Sequence, residues 1–263
     1  MRVRSGDLEV AVHEWGSGPA LLFLHGLGDD HRALRRLVPE LSLGHRVVAP
    51  DMRGHGGTSL GHADGSLAQL ATDVVSLLDT LGLDLVDLAG FSLGGAIALQ
   101  VAIQAPDRVR RLIGIATSSR VGRAALDWYR DRARAADSGA AELRAVLAED
   151  AVTMFLPGSP LVAGHLRLRE EATADPRGFA NGCRANLALG AAPLDPSLPR
   201  ITAPTLVIAS RQDVLCPPRA AEIVAARVPG SSIEILEGSG HEIPLEQPET
   251  LAGLMLAFIA GRT

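Results

Sequence analysis

The chain has 263 residues, 47% of them hydrophobic, and a formal net charge of -5. That length suits one large α/β domain with an insertion, or two small domains, and the acidic balance offers no basic surface for nucleic acid. All 25 Lys+Arg positions are arginine, so no Schiff-base lysine and no phosphate-loop lysine can exist.

At the N-terminus, MRVRSGDLEVAVHEWG lacks the apolar core of a signal peptide. Residues 8–14, LEVAVHE, read as a strand, paired with MRVR through Ser5-Gly6-Asp7. Further short apolar runs follow: ALLFLHG (20–26), RVVAPD (46–51), LVDLAGFS (85–92), RLIGIAT (111–117), TLVIAS (205–210) and SIEILEG (232–238). Near-continuous apolar runs of this length suit strands buried on both faces of a parallel sheet. Helical patterns lie between them: HRALRRLVPEL, SLAQLATDVVSLLDTLG, GGAIALQVAIQ, PRAAEIVAARV and PETLAGLMLAFIA. Strand alternating with helix predicts a doubly wound, mostly parallel α/β fold. The expected organisation is a core of residues 1–120 and 200–263, interrupted by a helical lid over residues 121–199. That interval carries no strand pattern and is rich in Ala, Arg and Glu. No apolar stretch approaches the ~18 residues of a membrane span. With only Cys183 and Cys216, a disulfide framework is excluded, and a cytoplasmic protein without a membrane partner is expected.

The chemistry concentrates at strand ends. Gly90-Phe91-Ser92-Leu93-Gly94-Gly95 sits where a strand hands over to a helix, and G-x-S-x-G in that context is a nucleophile elbow. A serine needs a base, and the base needs an orienting acid. His241, in the loop after the last strand, is the candidate base. Asp213, one strand earlier, is the candidate acid. The order Ser92, Asp213, His241 is the one that accompanies this elbow. Asp213 also has a plainer reading as a helix cap before Pro217. His25 is expected to shape its loop, and Asp51, Arg53 and His55 to brace the floor of the site. The histidines of HGGTSLGHAD lack the spacing of a zinc hydrolase, so no metal is assigned. No cofactor is assigned either.

The sequence resembles the α/β-hydrolase superfamily over nearly its whole length. The resemblance rests on HGLGDD (25–30), DMRGHGGTS (51–59), GFSLGG (90–95), RQDVLCPP (211–218) and GSGHEIPLEQP (238–248). Within it the chain is similar to lid-bearing esterases and lactonases of the β-ketoadipate enol-lactone hydrolase and haloperoxidase-like type. This resemblance implies an α/β-hydrolase fold and an oxyanion hole made by the backbone N–H groups of Leu27 and Leu93. It implies a small-molecule ester or lactone as substrate. Trp128, Tyr129, Met154 and Phe155 are candidates to line the substrate pocket, with internal lid packing as the alternative. Arg130, Arg134, Arg167 and Arg184 would bind a carboxylate or simply form a solvated helix face. Carbon–carbon bond hydrolysis, perhydrolysis, and a non-hydrolytic ligand-binding or cyclase role stay open. Nothing in the sequence sets an oligomeric state.

Overall fold

The computed structural model describes residues 1–262. Its single sheet has eight strands: β1 (Arg2–Ser5), β2 (Leu8–Trp15), β3 (Ala20–Leu24), β4 (Arg46–Pro50), β5 (Val86–Phe91), β6 (Val109–Ile115), β7 (Thr205–Ser210) and β8 (Ser232–Leu236). They lie in the order β1-β2-β4-β3-β5-β6-β7-β8. The first three in that order pair antiparallel and the rest pair parallel. Each apolar run marked in the sequence is a strand.

Among the described residues, ten α-helices accompany the sheet: α1 (Val38–Leu41), α2 (Leu67–Leu81), α3 (Leu93–Gln104), α4 (Arg123–Ser138), α5 (Ala140–Met154), α6 (Val162–Ala172), α7 (Pro176–Ala191), α8 (Pro218–Ala225), α9 (Ile243–Glu246) and α10 (Pro248–Ile259). Side chains alternate across the sheet with the period of two that strands impose. Leu22, Leu24, Leu88, Leu112 and Val207 join the core under α2, α3 and α8. Phe23, Ala89, Phe91, Ile113 and Ile208 join the core under α1 and α10. The four helices α4–α7 all stand between β6 and β7.

One element departs from its pattern. HRALRRLVPEL reads as a single helix, but it is a 3-10 turn over His31–Leu34 followed by the four-residue α1. Pro39 is the physical reason. It has no N–H to donate to a carbonyl four residues back, so the ladder stops and restarts with Pro39 in the first turn of α1, where the missing N–H costs nothing. Among the described residues, no helix is long and apolar enough to cross a membrane.

The register sets the site. Leu24 pairs with Gly90, Gly90 with Gly114, and Ile115 with Ile208. The carboxyl ends of β3, β5, β6 and β7 are therefore level, so the loops after them open side by side. In open α/β sheets this edge is where ligands bind.

Candidate active site

Ser92 joins β5 to α3 with φ 53 and ψ -117. A non-glycine residue in that region is strained by about 1–3 kcal/mol, and the neighbours must hold it there. Its N–H donates to Ile115 O at 2.9 Å, and Thr117 Oγ1 donates to its carbonyl at 2.7 Å. The flanking glycines make the bend possible. A Cβ on Gly90 would lie 2.2 Å from Gly94 O, and one on Gly94 would lie 2.3 Å from Leu24 O. Both clashes are with backbone, which cannot swing aside. Gly94→Ala is therefore expected to cost about 3 kcal/mol, as overpacking of a rigid site does. A thermal melt on the purified variant checks this, and an unchanged melting temperature would contradict it.

His241 follows β8 and closes on the serine from the opposite side. Its Nε2 lies 2.9 Å from Ser92 Oγ, and its Nδ1 lies 2.8 Å from Asp213 Oδ2. The carboxylate fixes the proton on Nδ1, which leaves Nε2 to accept from the serine hydroxyl. The other carboxylate oxygen, Asp213 Oδ1, accepts from the N–H groups of Leu215 and Cys216 at 2.8 and 2.9 Å. Asp213 does not cap the following helix: the N-cap of α8 is Pro217, with no side-chain cap hydrogen bond, and the two N–H groups that Asp213 receives belong to the loop before it. Burial disfavours the imidazolium of His241, but the charge and hydrogen bond of Asp213 outweigh it and raise the pKa above 6.5. Burial also works against the charge on Asp213, and His241 with the two N–H donors brings its pKa below the ordinary value. Ser210 at the end of β7 donates to Ser239 O, tying the Asp213 and His241 loops together.

The loop after β3 lies against the elbow. His25 Nε2 accepts from Met52 N–H at 2.9 Å, so the proton sits on Nδ1 and is donated to Gly26 O at 2.8 Å. With its carbonyl held this way, the Gly26–Leu27 peptide has no protein acceptor for the Leu27 N–H among the described residues. Leu93 is the first residue of α3, where the N–H has no carbonyl four residues back in the helix. Two unpaired N–H donors at a helix N-terminus and a neighbouring loop favour an anion. His55, expected only as a brace, accepts from Gly28 N–H at 3.3 Å. That bond requires a neutral ring; burial, with the neighbouring His25, pushes its pKa down to about 4.

Two cavities meet at Ser92. One of about 290 Å³ is lined by Leu27, Trp128, Tyr129, Met154 and His241. The other, of about 390 Å³, runs past Leu93, Thr117, Tyr129 and Asn186. Phe155 stands apart from both; it packs with Met154 and Leu245 and against the His165 ring, whose centroid is 5.3 Å away. Three of the arginines singled out on the inserted helices pair on the surface: Arg130 with Asp127, Arg134 with Asp131 and Arg184 with Asp137. The inserted helices' buried cation is Arg169, which the sequence reading passed over along with Asp29, His165 and Glu242. Their nearest signal is the i, i+4 spacing of His165 and Arg169, which puts both on one face of α6.

The observation that decides the family is the match of the sequence pattern of the alpha/beta hydrolase fold to residues 19–248, on a sheet of this order. The chain belongs to the α/β-hydrolase family. This α/β hydrolase is 31% identical over 246 residues to 3-oxoadipate enol-lactonase 2 of Acinetobacter baylyi, covering 92% of this chain and 89% of that one. It superimposes on an enol-lactonase from Burkholderia xenovorans with a TM-score of 0.90 at 24% identity, covering 99% and 100% of the two chains. It also superimposes on a thermophilic esterase from Thermogutta terrifontis with a TM-score of 0.87 at 25% identity, covering 100% and 99%. Relatives of these kinds make the α/β hydrolase a hydrolytic enzyme.

Among the described residues, two groups bring metal-ligating atoms within 4.8 Å of one another: His13, His31 and Asp51, and Asp29, His165 and Glu242. In the first, the imidazoles stack with centroids 3.3 Å apart and planes 7° apart. Lone pairs lie in the ring planes, so nearly parallel rings cannot both aim at one ion. In the second, the Arg169 guanidinium lies 3.8 Å from Asp29 Oδ1 and supplies the positive charge itself. Neither arrangement suits a cation.

Proposed function

We propose that the α/β hydrolase cleaves a carboxylic ester or lactone through an acyl-enzyme on Ser92. The observation that carries this reading is the continuous hydrogen-bond chain Ser92–His241–Asp213 beside the free Leu27 and Leu93 N–H groups. In the first step His241 Nε2 takes the Ser92 proton while Oγ forms a bond to the substrate carbonyl carbon. The developing oxyanion is received by the two N–H groups. The bond from the carbonyl carbon to the leaving oxygen then breaks as His241 protonates the alkoxide. Water, losing a proton to His241, attacks the acyl-enzyme, and the bond to Ser92 Oγ breaks as His241 returns that proton to the serine. Asp213 stays ionised throughout and stabilises the imidazolium. In a lactone the leaving oxygen stays tethered to the acyl group, so one cavity must hold both ends.

Residues 121–199 act in this reading as a lid, with Trp128, Tyr129 and Met154 as the apolar wall that meets the substrate. Cavities of this size suit a small molecule, with the two chambers taking the acyl and alcohol sides. The similarity to an enol-lactonase and an esterase supports a carbonyl–oxygen bond as the one broken. The test is a panel of p-nitrophenyl esters, simple lactones and a dienone acid. Ser92-dependent turnover of the short-chain esters or lactones is expected, with kcat/KM falling for long acyl chains that outgrow the cavities. Turnover of the dienone acid alone would overturn the ester or lactone reading.

A further inference from the structure

Arg169 and His165 lie on one face of α6, at 2% and 1% exposure, and Arg169 lines the cavity beside Ser92. Arg169 Nη2 donates to Leu27 O at 3.0 Å, and Nη1 lies 3.2 Å from Met154 Sδ. The Leu27–Gly28 peptide is therefore held at both ends, its carbonyl by Arg169 and its N–H by His55. The peptide before it is held through its carbonyl by His25. The guanidinium fits closely: a Cβ on Gly28, whose φ is +81, would lie 2.7 Å from Arg169 Nη2.

The cation is itself fixed by a buried charge cluster. Arg169 Nε is 3.8 Å from Asp29 Oδ1, and His165 Nε2 is 3.5 Å from the same oxygen and 3.3 Å from Glu242 Oε1. Asp29 belongs to the loop that carries Leu27, and Glu242 adjoins His241. The inserted helix thus joins the two loops that flank Ser92. Four ionisable groups are buried together here, and removing one would leave the charge of its neighbours uncompensated. Although burial works against it, the pKa of His165 is raised by Glu242, and that of Glu242 is lowered by His165, whereas burial and the Glu242 charge raise that of Asp29.

We infer that Arg169 is a positioning residue: with His165 behind it, it sets the orientation of the Leu27 N–H from the inserted helices by clamping the Leu27 carbonyl. This rests on the acyl-enzyme reading above. A donor that is rotated out of line weakens transition-state binding far more than ground-state binding.

The test compares wild type, Arg169→Lys, Arg169→Gln and His165→Gln with a neutral p-nitrophenyl ester and with a carboxylate-bearing one. Active-site concentration is taken from a fluorophosphonate titration, so misfolded protein is not counted. For Arg169→Gln we expect kcat per titrated site to fall about 10- to 100-fold with KM within twofold, reaching at most the lower end of the roughly 100- to 1,000-fold cost of losing an oxyanion donor outright. The Ki of a trifluoromethyl ketone should rise by the same factor. Arg169→Lys, lacking the planar fork, should recover only part of the loss, and His165→Gln should show a smaller fall in kcat of the same kind. An unchanged kcat per site with only a lower melting temperature would overturn the inference. A rise in KM confined to a carboxylate-bearing ester would also overturn it, because Arg169 would then be a substrate ligand. If wild type itself fails to titrate, the acyl-enzyme reading falls instead.

Discussion

Ser92→Ala is expected to lower ester turnover by about 10⁴-fold or more while leaving the fold intact. Removing a triad member from a serine hydrolase costs on this order, and what persists comes from the oxyanion donors and substrate binding. The structure separates activity from stability here. Ser92 Oγ meets His241 Nε2, whereas the bonds that hold the elbow run through the Ser92 backbone to Ile115 and from Thr117. Alanine keeps the Cβ and all of these backbone bonds. The variant should therefore melt within a few degrees of wild type while its p-nitrophenyl ester activity disappears. Initial rates at saturating protein, paired with a thermal melt, read both quantities. Residual turnover above one-hundredth of wild type would move the nucleophile elsewhere.

Asp213→Asn is expected to be nearly as damaging, with a loss of about 10³- to 10⁴-fold in kcat. The reason lies in the tautomer. An asparagine whose amide N–H₂ faces His241 Nδ1 makes that nitrogen an acceptor and moves the proton to Nε2, which can no longer accept from Ser92. The substitution also carries a pH signature with a definite sign. The base must be neutral, so kcat/KM is present above the pKa of His241 and is lost as pH falls through it. In wild type, burial lowers that pKa and Asp213 more than restores it, so the acidic limb lies above 6.5. Without the carboxylate, burial acts unopposed by its main partner and the limb of the residual activity moves to lower pH. Profiles of kcat/KM between pH 5 and 9 check this. A limb that stays in place would mean that another group titrates.

Much of this was legible in the sequence because the strands are buried on both faces. LLFL is apolar throughout, VVAP and LVIA are apolar between polar ends, and the glycine-flanked serine lies at the end of such a run. Asp213 could be chosen because it is the acid in the loop after TLVIAS, and His241 because it follows SIEILEG. The interrupted helix at residues 31–41 was not read, although Pro39 was there to break it. Arg169 was beyond reach for a different reason. Arg167 and Arg169 sit two apart in LRLREEA and are chemically identical; what distinguishes Arg169 is a contact 142 residues away, with the Leu27 carbonyl. Asp29 and Glu242 were likewise masked by polar neighbours, Asp30 and His241. Phe155 beside Met154 shows the same limit: both pack with Leu245, but Met154 alone also reaches the cavity. Local patterns specify which face of an element is buried, but not what meets it across the fold.

The most direct test of the central claim, that Ser92 is an activated nucleophile, is intact-mass spectrometry after treatment with a fluorophosphonate. The account predicts a single adduct on wild type, mapped to the peptide holding Ser92, no adduct on Ser92→Ala, and strongly slowed labelling of His241→Ala. Wild type of unchanged mass, or an adduct that persists in Ser92→Ala, would contradict it.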